Sequence, residues 1–286
     1  MEEQTDLKNM RFAFIGSGTM AEAMISALLN KNLAIPANIN ASGPRVERGK
    51  ALESKYGVIP YIDNHSAVSQ VDVVALCVKP QKLNSVLKTL NGSIKSSALV
   101  ISIIAGATIE KISTGLDHNQ VVRAMPNTPA QIGAGITVWT ASENVSKIQL
   151  EQTRQILSAL GEEIFLKDEI NLDMATALSG TGPAYVYLFM EALIDSGVHL
   201  GFSRRVAEQL VIKTIRGSID FYLKSDLHLS ALRNAVTSPG GTSAEAIYFL
   251  EKAGFRTAIS RAVWAAYERT LELGSDHPNT TQQDHR

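Results

Sequence analysis

A glycine-rich turn near the start of the chain has the spacing of a dinucleotide-binding loop. Residues 15–21 read IGSGTMA and follow a short apolar run, so that Gly16, Gly18 and Ala21 form a GxGxxA pattern. In such loops the first glycine permits a tight turn, the second lets the backbone approach a pyrophosphate, and the third small residue keeps helix and strand close. The N–H groups at the helix N-terminus bind the anion. The pattern therefore predicts a nucleotide site at this turn.

The end of the second predicted strand indicates which nucleotide binds. An Asp or Glu about 20 residues after the glycine turn would hold the ribose hydroxyls of NAD. Residues 41–45 instead read ASGPR, and Arg48 follows one helical turn later. Two guanidiniums without an acid favour the 2′-phosphate of NADPH, with NADH as a weaker donor. The alternative is that Arg45 and Arg48 only form a solvated helix face.

A second glycine loop lies late in the chain, where residues 238–245 read SPGGTSAE. Thr242 and Glu245 have the spacing of a capping box, which would make the loop a well-capped helix start. The same geometry would let the N–H groups of residues 241–243 bind a carboxylate, with the Ser243 hydroxyl facing a reacting atom. The residue types alone do not decide between these interpretations.

Other chemistries have weaker signals in this sequence. Lys79 ends a buried strand at the edge where ligands bind, although a lysine before a proline is commonly just exposed. Cys77 is expected to be a small buried residue. The prolines of residues 123–129, RAMPNTP, are expected to make a rigid turn. The six histidines have no metal-ligand spacing, and we predict no metal site.

The elements that must position these residues fall into two halves. From residue 11 to about 167, short apolar runs alternate with helical stretches, which is typical of βαβ units and a mostly parallel sheet. Strands are predicted at residues 11–15, 38–42, 71–78, 99–104, 121–125, 136–140 and 163–166. Helices are predicted between them at residues 20–30, 45–56, 81–90 and 145–160.

Beyond residue 168 the pattern is helical only. Helices are predicted at residues 170–178, 184–200, 203–224, 229–236, 243–253 and 256–273. Ala207, Val211, Ile215 and Ile219 recur at i+4 in the third of these and form one apolar stripe. We predict an α/β fold with a Rossmann-type domain at 10–167, an all-α domain at 168–274 that buries surface in a partner chain, and a disordered tail at 275–286.

Composition and charge argue against a nucleic-acid-binding, membrane-bound or secreted protein. The 286 residues include 27 Lys+Arg and 28 Asp+Glu, a net charge of −1, which argues against nucleic-acid or acidic-membrane partners. The longest apolar run, residues 98–107, is about half the roughly 18–20 residues that a membrane helix needs. Residues 1–9 lack the apolar segment of a signal peptide. A single cysteine fits a reducing compartment, so we expect a cytoplasmic protein.

Six segments in order resemble pyrroline-5-carboxylate reductase, over about residues 10–274. They read IGSGTMA, VKPQ, ISIIAGATIEKI, VVRAMPNTPAQIGAG, LSGTGPAYVYLFMEALIDSGVHLG and LRNAVTSPGGTSAEAIYFLEKAGFR, of which the last is the most distinctive. The resemblance implies reduction of 1-pyrroline-5-carboxylate to L-proline, the last step of proline biosynthesis, by NAD(P)H. It also implies a Rossmann domain, and a helical domain that forms a homodimer, which in many relatives assembles into a decamer.

The resemblance also assigns site residues by position. Substrate contacts would fall on Ser238, Gly240, Gly241, Thr242 and Ser243, with the Ser243 hydroxyl nearest the substrate nitrogen. Many relatives have Thr at this last position, and Ser keeps the hydroxyl. Cofactor contacts would fall on Ile15, Gly16, Ser17, Gly18, Thr19, Met20, Ser42, Gly43, Asn64, Cys77, Val78, Lys79, Pro80, Ile103, Ile104 and Ala105. Arg45 is a further predicted cofactor residue, because the end of the second strand has no acidic residue.

Two rival functions have recognisable signatures. A hydroxyacid dehydrogenase of related architecture would have a catalytic lysine just after the polar, glycine-rich break at residues 178–182, LSGTG, where this chain continues with residues 183–187, PAYVY. A non-catalytic dinucleotide sensor would keep the first glycine turn without needing the loop at 238–243. The second glycine loop separates these possibilities.

Overall fold

The structure, a computed structural model, describes residues 7–274. The tail predicted at 275–286 lies outside the described residues. The chain folds into two compact units. The sheet unit comprises residues 7–181 and 266–274 of the described chain, and the helical unit comprises residues 182–265.

An eight-stranded sheet forms the centre of the sheet unit, with the strand order β3-β2-β1-β4-β5-β6-β7-β8. All neighbours pair in parallel except β6 and β7, which are antiparallel. The prediction of a mostly parallel α/β sheet is therefore confirmed. The strands are β1 Phe12–Ile15, β2 Ile39–Ser42, β3 Ile59–Tyr61, β4 Val73–Leu76, β5 Leu99–Ser102, β6 Val121–Met125, β7 Gly135–Ala141 and β8 Gly161–Phe165.

Helices cover both faces of this sheet, which explains why its strands are apolar on successive residues. Phe12 and Phe14 of β1 belong to one buried cluster, whereas Ala13 and Ile15 belong to a second cluster. The helices of this half are α1 Thr19–Asn30, α2 Val46–Tyr56, α3 Asn64–Ala67, α4 Leu83–Leu90, α5 Ile109–Leu116, α6 Lys147–Ser158 and α7 Ile170–Ala175. The sequence patterns missed β3, α3 and α5.

The glycine-rich break at residues 178–182 overlaps a wide helical turn. Thr176–Gly180 form a π-helical turn between α7 and α8, closed by the Thr181 N–H, which donates to the Thr176 carbonyl at 2.8 Å. The Thr181 hydroxyl donates to the same carbonyl at 2.9 Å. The glycine-rich sequence therefore widens the last helical turn before a break at Thr181, and α8 begins at Gly182.

The helical unit has almost no buried residues of its own. Among its described helices, α8, α10 and α11 have none and α9 has only Ala207. Gly197 lies inside α8, not at its end, and a Cβ there would lie 2.9 Å from the Cβ of Ala207, so glycine lets α8 and α9 approach closely. The helices are α8 Gly182–His199, α9 Arg204–Leu223, α10 Leu229–Ala235 and α11 Thr242–Lys252, with α12 Phe255–Gly274 ending in the sheet unit.

Candidate active site

The carboxyl ends of four parallel strands meet at one edge of the sheet. Ile15 of β1 is in register with Ser42 of β2 and with Leu76 of β4, and Leu76 is in register with Ser102 of β5. Strand order reverses at β1, where ligands bind in open α/β sheets. Most of the predicted cofactor residues end these four strands or follow them, and Asn64 follows β3 and contacts Ser42, so the structure brings them to one edge.

Gly16 occupies a position that only glycine fits. Its φ is +99°, and an added Cβ would lie 2.8 Å from the carbonyl carbon and oxygen of Cys77 and 2.9 Å from Val78 Cγ1. The Gly16 N–H donates to the Ser42 carbonyl at 2.9 Å, and the Cys77 N–H donates to the Ile15 carbonyl at 2.8 Å. The turn after β1 is therefore packed directly against the turns after β2 and β4.

The N-terminus of α1 is open above this turn. Gly18 is the N-cap residue, and no side chain of the described residues caps the helix. A Cβ added to Gly18 would meet nothing within 4 Å. The N–H groups of Thr19 and Met20, the first two residues of α1, therefore face space that an anion can enter. This geometry fits the pyrophosphate of a dinucleotide.

Ser42 and Gly43 join the nucleotide turn to the third crossover. The Ser42 hydroxyl donates to Asn64 Oδ1 at 2.7 Å, and the Gly43 N–H donates to the Tyr61 carbonyl at 3.0 Å. A Cβ at Gly43 would overlap the hydroxyl of Ser17. Four predicted cofactor residues, Ser17, Ser42, Gly43 and Asn64, are thus held together by direct contacts.

The two arginines that follow β2 have different environments. Arg48 forms an ion pair with Glu22 of α1, and its Nε donates to the Ser17 carbonyl at 2.9 Å. Hydrogen bonds from Lys55 and Arg48 lower the pKa of Glu22 to about 2, so this carboxylate stays charged. Arg45, by contrast, is exposed at the start of α2. Arg48 therefore braces the nucleotide turn, and Arg45 is the arginine left at the surface.

The turns after β4 and β5 complete this edge. Desolvation raises the pKa of the Cys77 thiol to about 12, so the thiol is neutral, although Cys77 is only partly buried and not fully buried as predicted. Val78 and Pro80 are partly buried, whereas Lys79 is exposed. After β5, the Ile103 N–H donates to the Leu76 carbonyl at 3.1 Å. Ile104 is buried, and Ile103 and Ala105 are partly exposed.

The second glycine loop leads into an uncapped helix. Gly241 is the N-cap of α11, and among the described residues no side chain caps it. Thr242 is the first helical residue, so the predicted Thr242 cap is wrong. The Gly241 N–H instead donates to the Ser238 carbonyl at 3.0 Å across a turn in which Gly240 has a φ of +69°. The first N–H groups of α11, including that of the half-buried Ser243, have no intrahelical acceptor.

The two groups of predicted site residues are assembled in different units. The cofactor residues all lie in the sheet unit, and the loop at 238–243 lies in the helical unit.

Among residues 7–274, no helix is long and apolar enough to cross a membrane. Within the same range, no three His, Cys, Asp or Glu residues are grouped so that they could hold a metal ion.

The sequence patterns did not predict a buried ion-pair network in the sheet unit. Arg123 of β6 is 1% exposed and contacts Glu169 at 3.0 Å and Asp173 at 2.5 Å. Its Nε is buried without a hydrogen-bond partner in the described structure. The available signal was an arginine inside the apolar run VVRAM, because a buried guanidinium requires acidic partners.

Sequence models of known protein families match both the N-terminal and the C-terminal part of the chain. A sequence model described as pyrroline-5-carboxylate reductase dimerisation matches residues 169–273, and one described as NADP oxidoreductase, coenzyme F420-dependent, matches residues 11–106. The pyrroline-5-carboxylate reductase of Synechocystis sp. is 40% identical over 93% of this chain and 99% of the relative. That of Pseudomonas aeruginosa is 39% identical over 92% and 96%.

Solved structures agree with these relatives. The pyrroline carboxylate reductase of Plasmodium falciparum, solved with NADP bound, has a TM-score of 0.87 and 34% identity, covering 94% of this chain and 100% of its own. Prephenate dehydrogenase from Aquifex aeolicus has a TM-score of 0.51 and 14% identity, which shows a shared fold alone.

Proposed function

The chain belongs to the pyrroline-5-carboxylate reductase family, and on this premise we propose that it reduces 1-pyrroline-5-carboxylate to L-proline with NADPH as the preferred hydride donor. NADH is a weaker donor. The reaction is the last step of proline biosynthesis. The relatives are matched over nearly their whole length, so both the cofactor half and the substrate half of the family are represented in this chain.

One feature of the structure carries this proposal: each unit contains a helix that begins at a glycine N-cap without a side-chain cap. These helices are α1 after Gly18 and α11 after Gly241. Five other helices are capped by the side chains of Asp63, Thr108, Ser146, Ser203 and His228. The helices α2, α4 and α7 also lack a side-chain cap, but they follow Arg45, Lys82 and Glu169 instead of glycine. Two open helix N-termini suit a reaction whose cofactor and substrate are both anions.

The sheet unit holds the cofactor in this proposal. NADPH, when bound, supplies the hydride. The N–H groups at the start of α1 bind its pyrophosphate, and Gly16 and Gly18 leave room for that approach. Ser42 and Asn64 lie at the ribose end, and the exposed guanidinium of Arg45 pairs with the 2′-phosphate. Residues 77–80 and Ile103–Ala105 line the remaining part of the edge.

The helical unit holds the substrate. The N–H groups of residues 241–243 bind the substrate carboxylate, and the turn of Ser238 and Gly240 sets their direction. The Ser243 hydroxyl accepts a hydrogen bond from the protonated ring nitrogen and orients the C=N bond. Solvent supplies the proton of the imine, so the chain itself needs no strong acid here.

The family model for residues 169–273 is a dimerisation domain, which makes the chain an oligomer-forming protein. The finer proposal is a homodimer that assembles further into a decamer. The exposed apolar side chains of α8 and α9, such as Leu188 and Phe221, support the homodimer. We place the enzyme in the cytoplasm, which its single cysteine supports, because one cysteine cannot form an internal disulfide.

The test of this function is NADPH oxidation, followed by absorbance, with and without 1-pyrroline-5-carboxylate. We expect oxidation only when the imine is present, with L-proline formed in equal amount. A hydroxy acid in place of proline, with the oxidised cofactor, serves as the control for the dehydrogenase alternative. NADPH binding without imine-dependent oxidation would contradict the proposal and would favour a nucleotide sensor.

A further inference from the structure

The segment between β5 and α5 is held from two directions. This segment, residues 103–108, is called the β5 loop, and its first three residues are predicted to contact the cofactor. Its first residue is tied to the neighbouring strand by the hydrogen bond from the Ile103 N–H to the Leu76 carbonyl. The rest of the loop contacts the two chain segments that enter and leave the helical half.

The last turn of α12, where the chain leaves the helical half, contacts the β5 loop through two glycines, Gly274 and Gly106. Gly106 has a φ of +72°, and an added Cβ would lie 2.7 Å from the Gly274 nitrogen and 2.8 Å from the Thr270 carbonyl oxygen. A Cβ on Gly274 would in turn overlap the Gly106 carbonyl oxygen. The last turn of α12 therefore packs backbone against backbone on the loop. No side chain fits at either glycine without moving one of the two segments.

The chain entering the helical half contacts the other end of the loop. The Ile109 N–H, which directly follows the loop, donates to Glu169 Oε1 at 2.8 Å. Glu169 immediately precedes α7, and the same oxygen pairs with the buried Arg123 at 3.0 Å. Arg123 also pairs with Asp173 of α7. The start of α7 is thus fixed to both the sheet and the first residue of α5, which directly follows the loop.

We infer that Gly106, Gly274 and Glu169 are positioning residues, which hold the β5 loop where it binds the cofactor. The inference rests on the proposed function, because the contact of residues 103–105 with NADPH is part of that proposal. Tightly packed segments transmit displacements of a few tenths of an ångström. A side chain at the glycine contact would therefore shift the loop and weaken NADPH binding without touching the nucleotide.

The test compares two glycines with the same backbone conformation. Gly106 and Gly92 have φ values of +72° and +67°, but a Cβ on Gly92 would meet nothing within 4 Å. Both changes to Ala cause the same backbone strain, so their difference isolates the contact with α12. We expect Gly106→Ala to raise the dissociation constant for NADPH, measured by fluorescence, at least about fivefold over Gly92→Ala.

Gly274→Ala provides a second variant, because it disturbs the same contact from the side of α12 and leaves the β5 loop itself unaltered. We expect it to raise the NADPH dissociation constant in the same direction, with the KM for the imine at saturating NADPH changed by less than about twofold. A merely structural role would lower thermal stability and leave this cofactor-specific change absent. Circular dichroism checks folding, and Gly274→Ala decides the question if Gly106→Ala does not fold.

NADPH affinities of Gly106→Ala and Gly274→Ala equal to that of Gly92→Ala would overturn the inference. This result is distinguishable from failure of the proposed function, in which the unaltered protein itself would not bind NADPH or would not oxidise it when the imine is added.

Discussion

The two units of this chain bury their apolar residues to very different extents. In the sheet unit, Phe12 and Phe14 of β1 are 1% exposed and contribute to a continuous core. In the helical unit, Leu188 of α8 is 67% exposed and Phe221 of α9 is 65% exposed. Both units have well-formed helices, but only the sheet unit buries its apolar side chains within one chain.

This difference shows where each unit obtains its stability. Burial of apolar surface is the main favourable term in folding, and the sheet unit supplies it internally. The helical unit lacks such a core among its described residues, and in the proposed homodimer a second copy of the chain covers its apolar faces. We therefore expect the sheet unit to be stable by itself, and the helical unit to depend on the proposed homodimer for its stability.

The largest expected effect comes from placing a charge on the exposed apolar surface of the helical unit. Leu188→Glu should weaken dimerisation by about 4 kcal/mol or more, roughly 1000-fold, because a buried contact is lost and a carboxylate is desolvated. Sedimentation equilibrium measures the dissociation constant. Ile132→Glu makes the same change at a sheet-unit residue that is 84% exposed, and it should leave the dimer intact. Equal effects at both sites would contradict the comparison.

A substitution that creates a cavity in the core of the sheet unit should lower the stability of the fold without weakening the dimer. Phe14→Ala should lower the free energy of unfolding by about 3–5 kcal/mol, because Phe14 is packed on all sides. The dimer dissociation constant should stay within about twofold. Phe189→Ala, at a helical-unit residue that is 42% exposed, should instead weaken the dimer. Urea unfolding and sedimentation measure the two quantities, and a parallel change in both for Phe14→Ala would break the distinction.

The sheet could largely be predicted from the sequence, because its strands are apolar on both faces and leave a strong signal. The strand β3 was missed because Ile59 is 40% exposed and Pro60 interrupts the pattern. The break before α8 could be predicted, but the π-helical turn at Thr176–Gly180 that precedes it was missed, because glycine and serine are typical of loops. The hydrogen bond that keeps it helical spans five residues and has no sequence signature.

The site was predictable only where a motif fixes the backbone. Gly16 could be assigned because the turn requires its conformation. The Thr242 cap was wrong because capping-box spacing does not reveal which residue begins the helix. The pairing of Arg48 with Glu22, 26 residues apart, depends on how α1 and α2 pack. Such long-range pairs cannot be deduced from local spacing.

Cofactor choice is expected to depend on the sheet unit alone. Arg45→Ala should lower the NADPH preference by about 1.5–3 kcal/mol, roughly 10–150-fold in kcat/KM relative to NADH, because a charge-assisted contact to the 2′-phosphate is lost. Arg48→Ala is the matched comparison: it should weaken both cofactors together, since Arg48 braces the turn through Glu22 and Ser17. Steady-state kinetics with each cofactor measures both. A kcat/KM for NADH that equals that for NADPH in the unaltered enzyme would refute the preference.

Ser243 tests the proposal that the helical unit binds the substrate while the sheet unit binds the cofactor. Removing its hydroxyl should cost about 1–3 kcal/mol of transition-state stabilisation, so that Ser243→Ala lowers kcat/KM for 1-pyrroline-5-carboxylate roughly 5- to 150-fold. Thr242→Ala, one residue earlier in the same uncapped turn, is the control and should have a smaller effect. The decisive measurement is kcat/KM together with a fluorescence titration of NADPH on folded Ser243→Ala enzyme. We expect the loss of kcat/KM with NADPH affinity unchanged, and a kcat/KM within about twofold of the unaltered enzyme would contradict the assignment of substrate binding to the helical unit.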